Sequence, residues 1–241
     1  PPGEWGADIV FGSTQRLGIP MGYGGPHAAY FATRDEYKRK VPGRIIGVSK
    51  DAQGNYALRM ALQVREQHIK RERATSNICT AQALLASMAG MYAVYHGPEG
   101  LKRIAKHIHS AAGILSEKLK ALGLEQENKD FFDTLKIKLP KSVTSDDVKK
   151  IALDNKYNFR YFDQHTIGIS TDEKTSEKDI NTILDIFAKA LAKDPEKIEE
   201  IPEKEYYDSS FERESDFLQM DLFNRYHSET EMMRYIKKLE R

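Results

Sequence analysis

Two stretches of this sequence hold residue types that could do chemistry. The first is Gly18-Ile19-Pro20-Met21-Gly22-Tyr23-Gly24-Gly25-Pro26. Glycine-rich loops let backbone amides approach an anion such as a phosphate. The spacing is neither that of a P-loop nor that of a Rossmann fingerprint, and the same composition also suits a tight connection between strands. The second runs from Arg65 through Glu66, His68, Lys70, Arg71 and Arg73 to Ala74-Thr75-Ser76-Asn77. Small hydroxyl residues ahead of a helix, behind a basic loop, could hold an anion through free amides and the helix dipole. A solvated loop with ordinary caps has the same composition.

The other reactive residues form no pattern. His68, His96, His107 and His109 do not show the spacing of a three- or four-ligand zinc site, and His107 and His109 face different ways on a helix. No metal site and no catalytic residue is expected. The lone Cys79 reads as a buried structural thiol and fits a reducing compartment.

The elements that must position these stretches follow from periodicity. The apolar run 7–11, between Gly6 and Gly12, reads as an interior strand, and 28–32 as a second strand. A short polar helix is expected over 35–40. A hairpin is expected from 44–48 and 56–62 around Asp51-Ala52-Gln53-Gly54-Asn55. Ser76 or Asn77 is placed to cap a long helix that breaks at Gly97-Pro98 and restarts as far as Gly123. Beyond it the pattern is strand 134–139, helix 146–155, strands 158–162 and 166–170, and helix 178–191. Thr144-x-x-Asp147 and Ser176-x-x-Asp179 sit at the two helix starts. The charged stretch 193–205 reads as an exposed linker. The tail from 211 ends in a helix opened by the capping box Ser228-x-x-Glu231.

Bulk properties narrow the class. In 241 residues, 37 basic side chains balance 36 acidic ones, which argues against a dedicated nucleic-acid binder. The longest apolar stretch, 83–95, is too short to span a membrane, which takes about 20 residues. The Pro1-Pro2-Gly3 start, without methionine, signal peptide or presequence, reads as a cut from a longer chain.

Longer strings resemble one family. Gly12-Ser13-Thr14-Gln15-Arg16-Leu17-Gly18-Ile19-Pro20-Met21-Gly22-Tyr23-Gly24-Gly25-Pro26-His27, Pro42-Gly43-Arg44-Ile45-Ile46-Gly47-Val48-Ser49-Lys50-Asp51, Arg65-Glu66-Gln67-His68-Ile69, Ala74-Thr75-Ser76-Asn77-Ile78-Cys79-Thr80 and Phe223-Asn224-Arg225-Tyr226-His227-Ser228-Glu229-Thr230-Glu231 are similar to the P-protein of the glycine cleavage system. The likeness is specific over 3–101 and again from 211, and rests only on the α+β pattern over 124–208. It implies an α/β chain: a fragment of a pyridoxal-phosphate (PLP)-dependent transferase type I fold, comprising the end of the large domain and then a small α+β domain. The divisions expected are 1–97, 98–192 and a linker and tail over 193–241.

The resemblance also implies a function. The family decarboxylates glycine on PLP and passes the aminomethyl group to the lipoyl arm of the H-protein. Its active half carries H-K-T-F-C-I-P-H-G-G-G-G-P. Aligned on Ile19-Pro20 and Gly24-Gly25-Pro26, the histidine falls on Thr14 and the lysine on Gln15. A glutamine amide nitrogen is delocalised into its carbonyl and cannot hold a carbonyl cofactor covalently. A different lysine, such as Lys50, is the alternative anchor.

The expectation is therefore the lysine-less half, catalytically silent alone, with PLP bound covalently by the other half. Expected partners are that PLP-bearing half, glycine and the lipoylated H-protein, with no nucleic acid or membrane. The compartment would be cytoplasmic in a bacterium and the mitochondrial matrix in a eukaryote. By analogy with related enzymes, Thr75, Ser76 and Asn77 are expected at the partner half's PLP phosphate. The competing class is a non-enzymatic module that binds an anion or a partner through the same loop.

Overall fold

The computed structural model describes residues 1–76 and 82–240. The chain forms two compact units, Pro1–His96 with Arg213–Arg241, and Gly97–Glu212. The first is thus discontinuous in sequence.

The first unit opens with β1 (Ile9–Ser13) and β2 (Ala29–Thr33), an antiparallel pair. The sequence pattern suggested a buried interior strand, but Phe11 is 75% exposed. The reason is topological: β1 and β2 pair only with each other among the described residues. A single 3-10 turn, Asp35–Tyr37, replaces the polar helix expected over 35–40. Its backbone closes with i to i+3 bonds, as Lys38 N–H donates to Asp35 O at 3.1 Å. The hairpin forms from β3 (Ile45–Lys50) and β4 (Tyr56–Ala61) in full antiparallel register. Its turn is organised by Asp51, whose carboxylate accepts the N–H groups of Gln53 and Asn55 at 2.9 and 2.8 Å. The bond from the Asn55 side chain, together with these backbone bonds, holds the Asp51 carboxyl below its ordinary pKa. The short helix α1 (Gln67–Lys70) follows.

Helix α2 (Ala83–Ala121) is two helices in effect. Gly97 lies between them at φ 61, ψ −178, a conformation that a Cβ would resist, and Pro98 starts the second stretch. The helix ends as the pattern at Gly123 predicts. Leu124 N–H reaches back to Leu119 O at 3.1 Å, while Gly123 takes φ 86.

The second unit places helices on a four-stranded antiparallel sheet. Its strands are β5 (Glu125–Gln126), β6 (Thr134–Lys138), β7 (Arg160–Asp163) and β8 (Thr166–Ser170), in the order β5-β6-β8-β7. Helix α3 (Ser145–Asp154) joins β6 to β7, and α4 (Glu177–Leu191) follows β8. Leu135, Ile137, Ile167 and Ile169 from the sheet meet Leu115, Leu119, Val148, Leu184 and Phe187 from the helices, all buried. Both capping boxes form: Thr144 Oγ accepts from Asp147 N–H and Ser176 Oγ from Asp179 N–H, each at 3.3 Å. Each aspartate accepts its cap's backbone N–H in return, at 2.9 Å. Replacing Thr144 or Ser176 by alanine is expected to cost about 1 kcal/mol each. Chemical denaturation of the chain with each substitution would read this, and unchanged midpoints would contradict it.

The stretch expected as an exposed linker is held down instead. Asn181 brackets Ile198, donating to its O at 2.8 Å and accepting its N–H at 2.9 Å. The Ser110 hydroxyl donates to Lys204 O at 2.9 Å. Alternating charge concealed the apolar contacts of Ile198, which is buried in the core.

In the first unit, α5 (Glu229–Leu239) ends the described chain. Its box is half made. Ser228 Oγ accepts from Glu231 N–H at 3.3 Å, but the Glu231 carboxylate takes the Ser228 hydroxyl at 3.1 Å rather than the cap's backbone. No helix among the described residues is long and apolar enough to cross a membrane.

Candidate functional site

The glycine-rich loop is built outward from β1. After Ser13 the chain makes one 3-10 turn, Gln15–Leu17. Leu17 N–H donates to Thr14 O at 2.8 Å, and Gln15 N–H to Ser13 Oγ at 3.1 Å. Ile19 and Ala28 then turn inward against Leu85 and Ala89, with Leu17 packed beside them. These contacts pin the loop at both ends while its middle reaches solvent. From Gly22 to Gly25 the backbone stays at positive φ, including Tyr23 at φ 53, whose ring is fully exposed. A side chain at Gly22 would meet Gly25 O at 2.8 Å, so only glycine fits there. Gln15 sits exposed on the turn, and Thr14 beside it is buried with its hydroxyl unpartnered among the described residues.

The second stretch folds around Arg65. Its side chain is buried, and its guanidinium donates to the carbonyls of Lys38, Val41 and Gly43. Arg65 O accepts Ser76 N–H at 3.0 Å, and Glu66 and Ser76 form a parallel bridge. Glu66 is also buried, with one oxygen 3.5 Å from Arg44 Nε. In the sequence, Arg65 and Glu66 read as part of a solvated or anion-binding loop. The carbonyls that enclose Arg65 come from 22–27 residues upstream, a pairing no local pattern reveals.

Thr75 and Ser76 therefore stand on a braced segment, facing differently. Thr75 is exposed, whereas Ser76 is 2% exposed with its hydroxyl unpartnered among the described residues. Ser76 does not cap α2, which begins at Ala83, and its N–H is engaged by Arg65 O. Asn77 and Cys79 lie outside the described residues. The Gln15 turn and the Thr75–Ser76 segment belong to the same compact unit.

The histidines have other partners. His107 Nε2 lies 2.9 Å from Thr175 O, and His227 Nδ1 lies 2.8 Å from Tyr95 O. Among the described residues no group of three or more His, Cys, Asp or Glu side chains could hold a metal ion.

Comparison with known proteins decides the family. The model of the glycine cleavage system P-protein matches residues 1–187. This chain belongs to the P-protein family. A glycine dehydrogenase (decarboxylating) of Bacteroides thetaiotaomicron is 59% identical over all 241 residues, and one of Flavobacterium johnsoniae is 60% identical over 240. The chain spans about a quarter of the length of these P-protein relatives. A crystal structure of glycine decarboxylase (P-protein) of the glycine cleavage system, in inhibitor-bound form, superposes with a TM-score of 0.71 at 32% identity. The match covers 79% of this chain and 45% of that one. The α/β fold is that of the PLP-dependent type I transferases.

Two residues bear on whether this segment could hold a carbonyl cofactor covalently. Gln15, which the resemblance sets at the anchor position, carries an amide, and an amide nitrogen does not form an imine. Lys50, the alternative, ends β3 opposite Tyr56 and is exposed at the tip of a different sheet from the Gln15 turn.

Proposed function

We propose that this chain is part of a glycine decarboxylase of the glycine cleavage system, from the half that does not hold PLP covalently. The single observation that carries the reading is Gln15, set on an ordered turn beside the glycine-rich loop in a chain of this family. PLP, when bound in the parent enzyme, supplies the electron sink for decarboxylation. This chain's residues supply shape and support: the pinned loop 18–26 and the segment braced by Arg65. Glycine is the substrate and the lipoylated H-protein the acceptor of the aminomethyl group. The other half, bearing the lysine, is the immediate partner. In a bacterial host the enzyme works in the cytoplasm, and in a eukaryotic one in the mitochondrial matrix.

Thr75, Ser76 and Asn77 serve the partner half's cofactor phosphate in this reading. Support comes from the exposed hydroxyl of Thr75 on a segment fixed by Arg65. Thr75→Ala in the intact enzyme is expected to weaken PLP binding about tenfold, equivalent to ~1.4 kcal/mol. Cofactor titration by absorbance reads this, and an unchanged affinity would sink the assignment. Borohydride reduction of the same enzyme with PLP tests the broader reading. Peptide mapping should find the adduct outside this segment. A stoichiometric adduct on any lysine of residues 1–241 would overturn it.

A further inference from the structure

We infer that a cleft at the open end of the β7–β8 pairing binds a free α-amino acid with an apolar side chain. Along an antiparallel strand, successive residues turn their backbone N–H and C=O to opposite neighbours. Thr171 N–H donates to Asp133 O and Leu139 N–H to His165 O, so the odd-numbered residues of β8 serve β6. Ser170 therefore turns its N–H and C=O toward β7. Gly168 meets Arg160 there, and the same register puts Asn158 opposite Ser170. That rung is missing. β7 begins at Arg160, and among the described residues no backbone bond joins Ser170 to Asn158. The gap is built in, because the chain ahead of β7 is tied elsewhere. Tyr157 N–H donates to Ala152 O at 2.9 Å, and Tyr157 OH donates to the Asp179 carboxylate.

The gap opens into a cleft of about 400 Å³, a size that suits a small molecule, and its lining belongs wholly to the second unit. Beside Ser170 and Asn158 the cleft carries both signs of charge, on Asp172 and Lys174. Lys174 is exposed and makes no ion pair among the described residues. One Asp172 oxygen accepts from Lys174 N–H at 2.9 Å and from the Thr175 hydroxyl at 3.1 Å, which leaves the other for a ligand. Phe159 and Ile183 add apolar surface. A free amino acid is the smallest molecule that answers this combination. Its ammonium and carboxylate stand on one carbon, as the N–H and C=O of a strand residue do. The carboxylate accepts from Ser170 N–H and the ammonium donates to Ser170 O, completing the rung that Asn158 leaves open. Asp172 and Lys174 favour the two charged ends, which a neutral amide lacks. A branched aliphatic side chain fills the apolar part, which glycine would leave empty.

The test uses the intact parent enzyme, reduced with borohydride so that amino acids form no imine with its PLP. The outcome then does not depend on which half holds that cofactor. L-Leucine is titrated by calorimetry, with 4-methylpentanoate and 3-methylbutylamine as probes that keep one charge each. The expected result is saturable leucine binding, about tenfold or more tighter than that of either single-charge probe. Asp172→Asn and Lys174→Gln should each weaken leucine about tenfold and leave the melting temperature unchanged. Asp172→Asn should leave the affinity for 4-methylpentanoate, which has no ammonium, as it was. General damage to the cleft would not give that pattern. Absence of saturable leucine binding, equal affinity for the three probes, or an unchanged leucine affinity in either variant would overturn the proposal. Both positions are exposed and the substitutions act separately, so if one variant fails to fold the other decides.

Discussion

Changing His109 to alanine is expected to destabilise the second unit by about 3–5 kcal/mol, through an unfilled cavity and two stranded polar groups. His109 is almost fully buried. Its Nε2 lies 3.0 Å from Tyr206 N, a backbone donor, so that nitrogen must accept. The proton therefore sits on Nδ1, which donates to Phe132 O at 2.8 Å. The ring stacks on Phe132 at 5.6 Å and lies among Phe131, Tyr206 and Tyr207. One side chain thus ties the loop before β6 to the irregular segment 203–208. His109→Phe separates the contributions. It refills the aromatic space but still leaves Phe132 O and Tyr206 N–H without partners, so about 2 kcal/mol of the loss should persist. Denaturant unfolding measures both, and hydrogen exchange at Tyr206 should rise in each. A phenylalanine variant as stable as the parent would show that the hydrogen bonds contribute nothing.

Arg65→Met is expected to have a comparable effect in the first unit, about 3–5 kcal/mol. The guanidinium is the common donor to three carbonyls that span the approach to β3. Methionine fills similar volume and leaves those carbonyls unsatisfied beside the buried Glu66. Lysine should rescue little, because an ammonium cannot reproduce a planar fork that reaches several acceptors. Thermal melting of the intact enzyme reads the stability, and cofactor titration reads the consequence at Thr75. If melting drops while PLP affinity holds, the brace supports the fold but not the site.

The second unit was the more legible in the sequence. Thr144-x-x-Asp147 and Ser176-x-x-Asp179 mark helix starts by local chemistry, and the strands between them alternate or run apolar because this unit buries its own sheet. The short β5 gave no pattern, since two residues are too few to show a period. The first unit misled where its faces find no cover within the chain. Phe11 reads as core and lies in the open. Arg65 and Glu66 err in the other direction, their burial being set by distant carbonyls that periodicity does not encode. At the site, the missing amine at Gln15 needed only residue chemistry. The exposure of Thr75 beside the buried Ser76 has no local signal, because Arg65 sets it through Ser76 N–H.

The discontinuity of the first unit sets an order on synthesis. A ribosome delivers residues 97–212 in full before it has made Arg213–Arg241, which the first unit also requires. The Glu4 carboxylate must wait for Glu214 and Ser215, whose N–H groups it accepts at 3.1 Å across more than two hundred residues. Contacts this distant in sequence slow folding, because the intervening chain must be ordered or looped first. The intervening unit, folding early on its local helices and antiparallel strands, shortens that search. Until Arg213–Arg241 emerge the first unit lacks part of its own structure, a period in which capture by chaperones would protect it.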